Sequence, residues 1–215
     1  GYLYLANALY SADAERWRAV RETLDERVVA DLRASSAYWA QFEGPVDTVS
    51  NAVYDGSSAV MLSGESAAGK YPVQSVATMA AIVSETEQHI NYEKRFRKSD
   101  FKINSLLDAI SHATCGMAID IGAKCIVVSS LSGRTVRMVS RFRVPMDIIG
   151  MATNKRVWYK LALSWGVIPV LSEQFNSTDV LFYHALRAAR DTMHLQPGDN
   201  VVMTGGITNG KSGNT

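Results

Sequence analysis

The sequence predicts an α/β fold whose back half is a mostly parallel open sheet flanked by helices. Two observations carry this. From about residue 101 onward, short apolar runs of strand length alternate with segments of helical period. Strands separated by helices cannot close as hairpins, so the chain must cross over, which makes neighbouring strands parallel and puts helices on the faces.

Each element follows from local pattern. Ile103, Leu106, Ile110, Ala113, Met117 and Ile121 fall at spacings of three and four and mark an amphipathic helix. Cys125–Ser129 reads as a strand, Thr135–Phe142 as a helix, Asp147–Met151 as a strand, Lys155–Ser164 as a helix and Val167–Leu171 as a strand. Asn176 or Ser177 can cap a helix running to about Met193, which Pro197-Gly198 closes off. Asn200–Thr204 is the last strand, followed by a Gly-rich tail.

The front of the chain has a different texture. In residues 1–45, Trp17, Val20, Leu24, Val28 and Leu32 keep helical spacing among Arg and Glu, and Gly44-Pro45 ends the segment. The aromatic residues there, Tyr2, Tyr4, Tyr10, Trp17, Tyr38, Trp39 and Phe42, read as packing residues. Residues 46–95 read as one strand–loop–helix unit. Ala59–Leu62 is the strand and Ser63–Lys70 a polar loop; Pro72 opens a helix bearing Val73, Val76, Met79, Ala80 and Val83. Asn91–Asp100 reads as a charged linker before the α/β domain of residues 96–215.

Composition narrows the function classes. A formal charge of +1 gives no global pull towards nucleic acid or an anionic membrane. Arg134, Arg137, Arg141 and Arg143 read as a solvated face, not a nucleic-acid footprint. No apolar run has the length of a membrane span, and the chain is expected to be cytoplasmic. Cys115 and Cys125 sit in apolar runs without metal-ligand spacing and are expected as buried thiols; no metal site is expected. His89, His112, His184 and His194 are isolated in sequence and read as surface or packing residues.

Two loops carry chemistry. Ser129-Ser-Leu-Ser-Gly-Arg-Thr135 joins a strand to a helix, where orphan backbone N–H groups and hydroxyls can seat a phosphate and Arg134 can add a charge-assisted contact. The same loop also reads as a plain turn whose hydroxyls cap the helix. The tail Thr204–Thr215 follows a strand end; Gly205, Gly206, Gly210 and Gly213 permit close backbone approach, and Lys211 adds a positive charge. A mobile terminal loop explains these glycines equally well. Ser63 and Glu65 stand at the end of the expected strand, with no histidine or second carboxylate near in sequence.

Longer stretches resemble a known family. Asn51-Ala-Val-Tyr-Asp-Gly-Ser-Ser-Ala-Val-Met-Leu-Ser-Gly-Glu-Ser-Ala-Ala-Gly-Lys-Tyr-Pro72 is similar to the last strand and helix of the (β/α)₈ barrel of pyruvate kinases. Ser132-Gly-Arg-Thr135, Ser140-Arg-Phe-Arg143, Ser164-Trp-Gly-Val-Ile-Pro-Val170 and Gly198-Asp-Asn-Val-Val-Met-Thr-Gly-Gly206 resemble that family's C-terminal domain in order and spacing. The resemblance implies a barrel fragment followed by an effector and assembly domain. Ser130, Ser132, Gly133, Arg134 and Thr135 take the places of its effector-phosphate loop, and Gly206 and Lys211 those of the segment closing over the effector. Fructose 1,6-bisphosphate or a related sugar phosphate is the implied ligand, and a homo-oligomer the implied assembly. Ser63 and Glu65 match a pair at the inner end of the catalytic pocket.

Departures are equally informative. The family transfers a phosphoryl group from phosphoenolpyruvate to ADP with Mg²⁺ and K⁺, through a lysine, a metal-binding acidic pair and a threonine that lie earlier in the barrel. Residues 1–45 carry none of those motifs, and Gly44–Ser50 also departs from the family's run. The expectation is a C-terminal regulatory part without turnover of its own and with no cofactor in this chain. The alternative is a non-catalytic module that binds sugar phosphate and oligomerises, or an engineered chimera of it. An Ala59–Leu62 strand without barrel neighbours must pair elsewhere or lose its strand form. Residues 1–45 are expected to pack as helices near Met61 and Met79.

Overall fold

The computed structural model describes residues 45–206. The expected helix through Trp17–Leu32, its packing near Met61 and Met79, and the aromatic residues before Pro45 lie outside the described residues. The chain divides into two compact units, residues 1–90 and 91–215.

In the first unit, helix α1 spans Pro45–Tyr54, α2 Gly64–Ala67 and α3 Pro72–Gln88. Pro72 opens α3 as the sequence predicts, because a first-turn N–H has no helical partner to lose. The helix buries Ala77, Met79, Val83 and Thr86 and packs on α1, which contributes Val53. Thr86 donates its hydroxyl to the Ile82 carbonyl at 2.7 Å, and its Oγ1 lies 3.2 Å from Ser50 Oγ. Val73, expected on the packed face, is exposed.

Ala59–Leu62 is not a strand; these residues run without regular pairing, and Met61 is 82% exposed. The cause is the absence of ladder partners: among the described residues all sheet pairing lies in the second unit.

The second unit begins with α4, Tyr92–Lys98, where a linker was expected. Asn91 caps it by accepting from Lys94 N at 2.8 Å, and Phe96 anchors it in the core. Next comes α5, Leu106–Asp120, whose Ser105 cap accepts from Asp108 N at 3.1 Å. The Asp108 carboxylate is buried and accepts from Asn104 N at 3.1 Å and from Arg141 Nη1 at 3.2 Å. The Asn104 backbone N–H is the main cause holding this carboxyl below its ordinary pKa.

The face of α5 differs from expectation. It buries Leu107, Asp108, Ser111, Thr114, Cys115 and Ala118, while Leu106, Met117 and Ile121 of the sequence-predicted stripe, with Ile103 just before the helix, face outward. The buried face carries the smaller residues, which allow close approach to the neighbouring helix α6, Arg134–Ser140.

Strands β1 (Cys125–Ser129), β2 (Asp147–Ala152), β3 (Val167–Leu171) and β4 (Val201–Gly205) form one parallel sheet in the order β3-β2-β1-β4. Helix α7, Lys155–Leu161, joins β2 to β3, and α8, Thr178–Met193, carries the chain from β3 to β4. The parallel open sheet flanked by helices is the fold class the sequence predicts.

Strand alternation divides the core. Ile126 and Val128 of β1 pack with Ile148, Val136, Val139, Phe142 and Leu161 on the face of α5, α6 and α7. Cys125 and Val127 pack with Ile149, Met151, Leu181, Ala185 and Ala189 on the face covered by α8. Cys115 and Cys125 are free and fully buried, as expected, and burial pushes their thiols up to about 12 and about 11, with Asp147 adding to the second. The histidines also read correctly: His112 stacks on Phe96, His184 stacks on Phe175, and His89 contacts Glu85 at 3.2 Å.

The outer edge of β3 is protected. Gly166 and Ser172 bond to β2, so the alternating positions 167, 169 and 171 face away from it. Pro169 therefore brings no N–H to the free edge, and its carbonyl accepts from Trp158 Nε1 at 2.8 Å. Among the described residues, no helix is long and apolar enough to cross a membrane.

Candidate functional site

In the second unit, the strand order reverses between β1 and β4, which are paired in register Ser129↔Gly205. Helix α6 leaves the end of β1 on one face. Helix α8 begins after β3 and runs back across the other face, packed on β1, β2 and β4. The carboxyl ends of β1 and β4 thus lie where crossovers diverge to opposite faces, the place at which open α/β sheets leave a crevice for ligands.

At these strand ends the two backbones approach closely. A Cβ on Gly205 would stand 3.2 Å from both the Cβ and the carbonyl oxygen of Ser129, so a side chain there would press on β1. One wall is the β1–α6 loop. Ser130 N donates to the Met151 carbonyl at 3.2 Å and pins the loop to β2. Gly133 caps α6 at φ 72°, a left-handed conformation that favours glycine, with room for a Cβ only 3.0 Å from Val157 Cγ1.

The hydroxyls of this wall have unusual surroundings. Ser130 is 9% exposed and Thr135 7% exposed, but neither hydroxyl oxygen is among the enclosed, unpartnered polar atoms, so both stay within reach of solvent. Other buried hydroxyls are engaged: Ser140 donates to the Trp165 carbonyl at 2.6 Å and Thr114 to the Ile110 carbonyl at 2.8 Å. Ser111 Oγ, by contrast, is enclosed without a partner on α5. Ser130 and Thr135 flank the first-turn N–H groups of α6, where Arg134 N has only a long contact of 3.4 Å to Ser132 Oγ. Hydroxyl donors, Arg134 and the start of α6 thus follow one another within a single short loop, a set of groups able to hold an anion.

Ser130, Ser132, Gly133, Arg134 and Thr135 therefore share one wall, and Gly206 follows the glycine paired with Ser129. Lys211 lies outside the described residues. Ser63 and Glu65 belong to the first unit and form a local pair: Glu65 Oε2 accepts from Ser63 N at 3.0 Å at the start of α2. Gly69 closes that turn, since a Cβ there would collide with the Glu65 carbonyl oxygen. Among the described residues, no three His, Cys, Asp or Glu side chains are grouped to hold a metal ion. Sequence reasoning gave no role to the start of α8, which topology puts at the same end of the sheet, where Ser177 is the cap residue without a side-chain cap bond and Asp179 sits in the first turn. The cap residue and the crossover rule together were the available signal.

Fold and crevice define an open α/β domain of the kind that takes ligands at its strand ends. Residues 108–215 match the family described as pyruvate kinase, alpha/beta domain, and residues 43–76 match pyruvate kinase, barrel domain. The chain belongs to the pyruvate kinase family. The barrel match begins ahead of Asn51 and so includes the Gly44–Ser50 stretch that the sequence reading set apart. Residues 1–56 match a protein family of unknown function, DUF3810.

The chain is 42% identical over 169 residues to a pyruvate kinase of Clostridium acetobutylicum, covering 78% of this chain and 36% of that protein. It is 38% identical over 168 residues to one of Staphylococcus saprophyticus, covering 29% of it. A crystal structure of a pyruvate kinase from Cryptosporidium parvum superposes with a TM-score of 0.70 at 29% identity, over 76% of this chain and 34% of that one. The chain thus spans about a third of the length of these relatives.

Proposed function

We propose that these residues form the C-terminal regulatory part of a pyruvate kinase and bind a phosphorylated sugar, fructose 1,6-bisphosphate included, in the crevice between β1 and β4. The observation that carries the reading is the β1–α6 loop itself, where the hydroxyls of Ser130, Ser132 and Thr135 and the first residues of α6 follow the carboxyl end of β1 at the switch in strand order. Hydroxyls within reach of solvent beside a helix start can donate to phosphate oxygens. Ser132, Gly133, Arg134, Gly206 and Lys211 are proposed to complete the seat.

Phosphoryl transfer from phosphoenolpyruvate to ADP, with Mg²⁺ and K⁺, is proposed for the whole enzyme in the cytoplasm, with Ser63 and Glu65 at the inner end of its pocket. The residues described here offer that reaction only this pair, so no turnover is expected from the chain alone. At 100 times its Kd, fructose 1,6-bisphosphate should stabilise the chain by about 2.7 kcal/mol. Ser130→Ala with Thr135→Val should abolish that thermal shift, and a coupled assay should show no pyruvate formed. Robust turnover, or an undiminished shift in the double variant, would refute the reading.

Assembly is the second proposed role. Leu106, Met117 and Ile121 make an outward apolar stripe on α5, long enough for a self-complementary contact with a second copy. Sedimentation velocity should show a dimer or larger species that Met117→Glu dissociates at unchanged helix content; a monomer at high concentration would exclude this role.

A further inference from the structure

We infer that the second unit carries a face for single-stranded RNA on the outward sides of α6 and α7, apart from the crevice at the strand ends. Overall neutrality conceals it. Residues 91–215 hold sixteen lysines and arginines against nine acidic residues, whereas residues 1–90 hold six against twelve. The formal charge of +1 is the balance of an acidic unit and a strongly basic one.

Within the second unit the excess is concentrated. From Ile121 to Ser172 the chain has eight cationic side chains and one carboxylate, Asp147. Sequence alone groups Arg134, Arg137, Arg141 and Arg143, but the fold divides them. Arg141 pairs with Asp108 at 3.2 Å, while Arg143 donates to the Ser140 carbonyl at 2.8 Å and lies over the Trp165 ring. Lys124 lies 4.0 Å from Asp199, and Arg134 belongs to the proposed phosphate seat. The other four, Arg137, Lys155, Arg156 and Lys160, are exposed and have no carboxylate partner among the described residues.

These four share one surface. Helices α6 and α7 are successive crossovers between adjacent parallel strands, and both pack on the same side of the sheet, Val136 and Val139 in one cluster with Val157, Trp158 and Leu161. The helices meet where α6 begins: a Cβ on Gly133 would stand 3.0 Å from Val157 Cγ1 and 3.1 Å from Leu161 Cδ2. With those residues turned inward, Arg137 of α6 and Lys155, Arg156, Tyr159 and Lys160 of α7 are turned out. Tyr159 is 64% exposed among the α7 cations, and its ring stands edge-on to Trp158 at 4.9 Å.

The chemistry of this face selects among polyanions. Unpaired cations attract a phosphate backbone, and an exposed ring among them gives a base a surface on which to stack. Both helices lie against the sheet, so neither projects to enter a duplex groove, and it is single strands that present unstacked bases to a ring. A membrane is a poorer match, because the apolar side of α7 that would enter a bilayer is already buried on the sheet. An acidic peptide would use the charges and leave Tyr159 without a role.

Fluorescence anisotropy with labelled polyuridine RNA of about 20 nucleotides tests this on the full chain. Four phosphate contacts, each adding about −0.7 to the salt slope, predict about fiftyfold weaker binding at 200 mM KCl than at 50 mM. Lys155→Gln with Lys160→Gln should reduce that factor to about sevenfold. Tyr159→Ala should weaken binding about fivefold or more at unchanged salt dependence, and Tyr159→Phe should restore it. Circular dichroism checks that each variant folds, and Arg137→Gln, on the other helix, gives an independent reading of the salt slope. Absence of RNA binding at 50 mM KCl would overturn the inference. So would equal binding of polyglutamate or of phosphatidylserine vesicles, or an RNA affinity that none of these variants alters.

Discussion

Phe142→Ala is expected to lower the stability of the second unit by about 3–5 kcal/mol, a large part of what such a domain possesses. Phe142 is 1% exposed and follows α6, where the chain turns towards β2. Its ring meets Phe101 edge-on at 4.9 Å, His112 at 5.3 Å and Phe96 at 6.3 Å, and the Arg141 guanidinium lies 5.1 Å from its centre. These partners come from α4, the following link and α5, so one ring joins the leading helices to the sheet. Truncation removes its contacts and leaves a hole that fixed neighbours cannot fill. Phe142→Leu, closer in volume, should lose less than half as much. Urea unfolding followed by circular dichroism measures both, and a loss below about 1 kcal/mol for alanine would show that the cluster is not a keystone.

Adding one methyl group at Gly150 should be nearly as damaging. Gly150 lies in mid-β2, paired with Val128 on one side and Pro169 on the other. A Cβ there would stand 3.0 Å from Val136 Cγ1, 3.1 Å from Val167 Cγ1 and 3.2 Å from Leu161 Cδ1. Three side chains from α6, β3 and α7 already fill the space, and overpacking of this kind costs about 1–3 kcal/mol. Gly150→Ala should therefore shift the midpoint of unfolding downwards, and Gly150→Val further. Pairing Gly150→Ala with Val136→Ala should recover part of the loss, because the second change opens the volume the first one needs. Strict additivity of the two changes would show that the crowding is relieved by other means.

Much of the fold was legible because its strands are short, apolar and separated by helices. Cys125–Ser129 and Val167–Leu171 were read with their observed bounds, and the other two strands within a residue at their ends. The failures share a cause: pattern records apolarity and not what is available to pack against it. Ala59–Leu62 has the composition of a strand but finds no ladder among the described residues. Helix α4 buries only Phe96, a signal too sparse for a period, and its cap Asn91 was hidden in a run of charges. On α5 the larger apolar residues suggested the packed face, whereas Ser111, Thr114, Cys115 and Ala118 are buried, with Cys115 and Ala118 packed in the cluster of Val136 and Val139 of α6. One wall of the crevice was readable from its hydroxyls and glycine; the other required the path of α8, which only topology supplies.

The proline and tryptophan at the margin of β3 also make the sheet polar in a lateral sense. An incoming strand at that margin would find one donor missing at Pro169 and one acceptor already taken by the indole. Recruitment of further backbone, whether from another molecule or from misfolded chains, is thereby disfavoured at that margin.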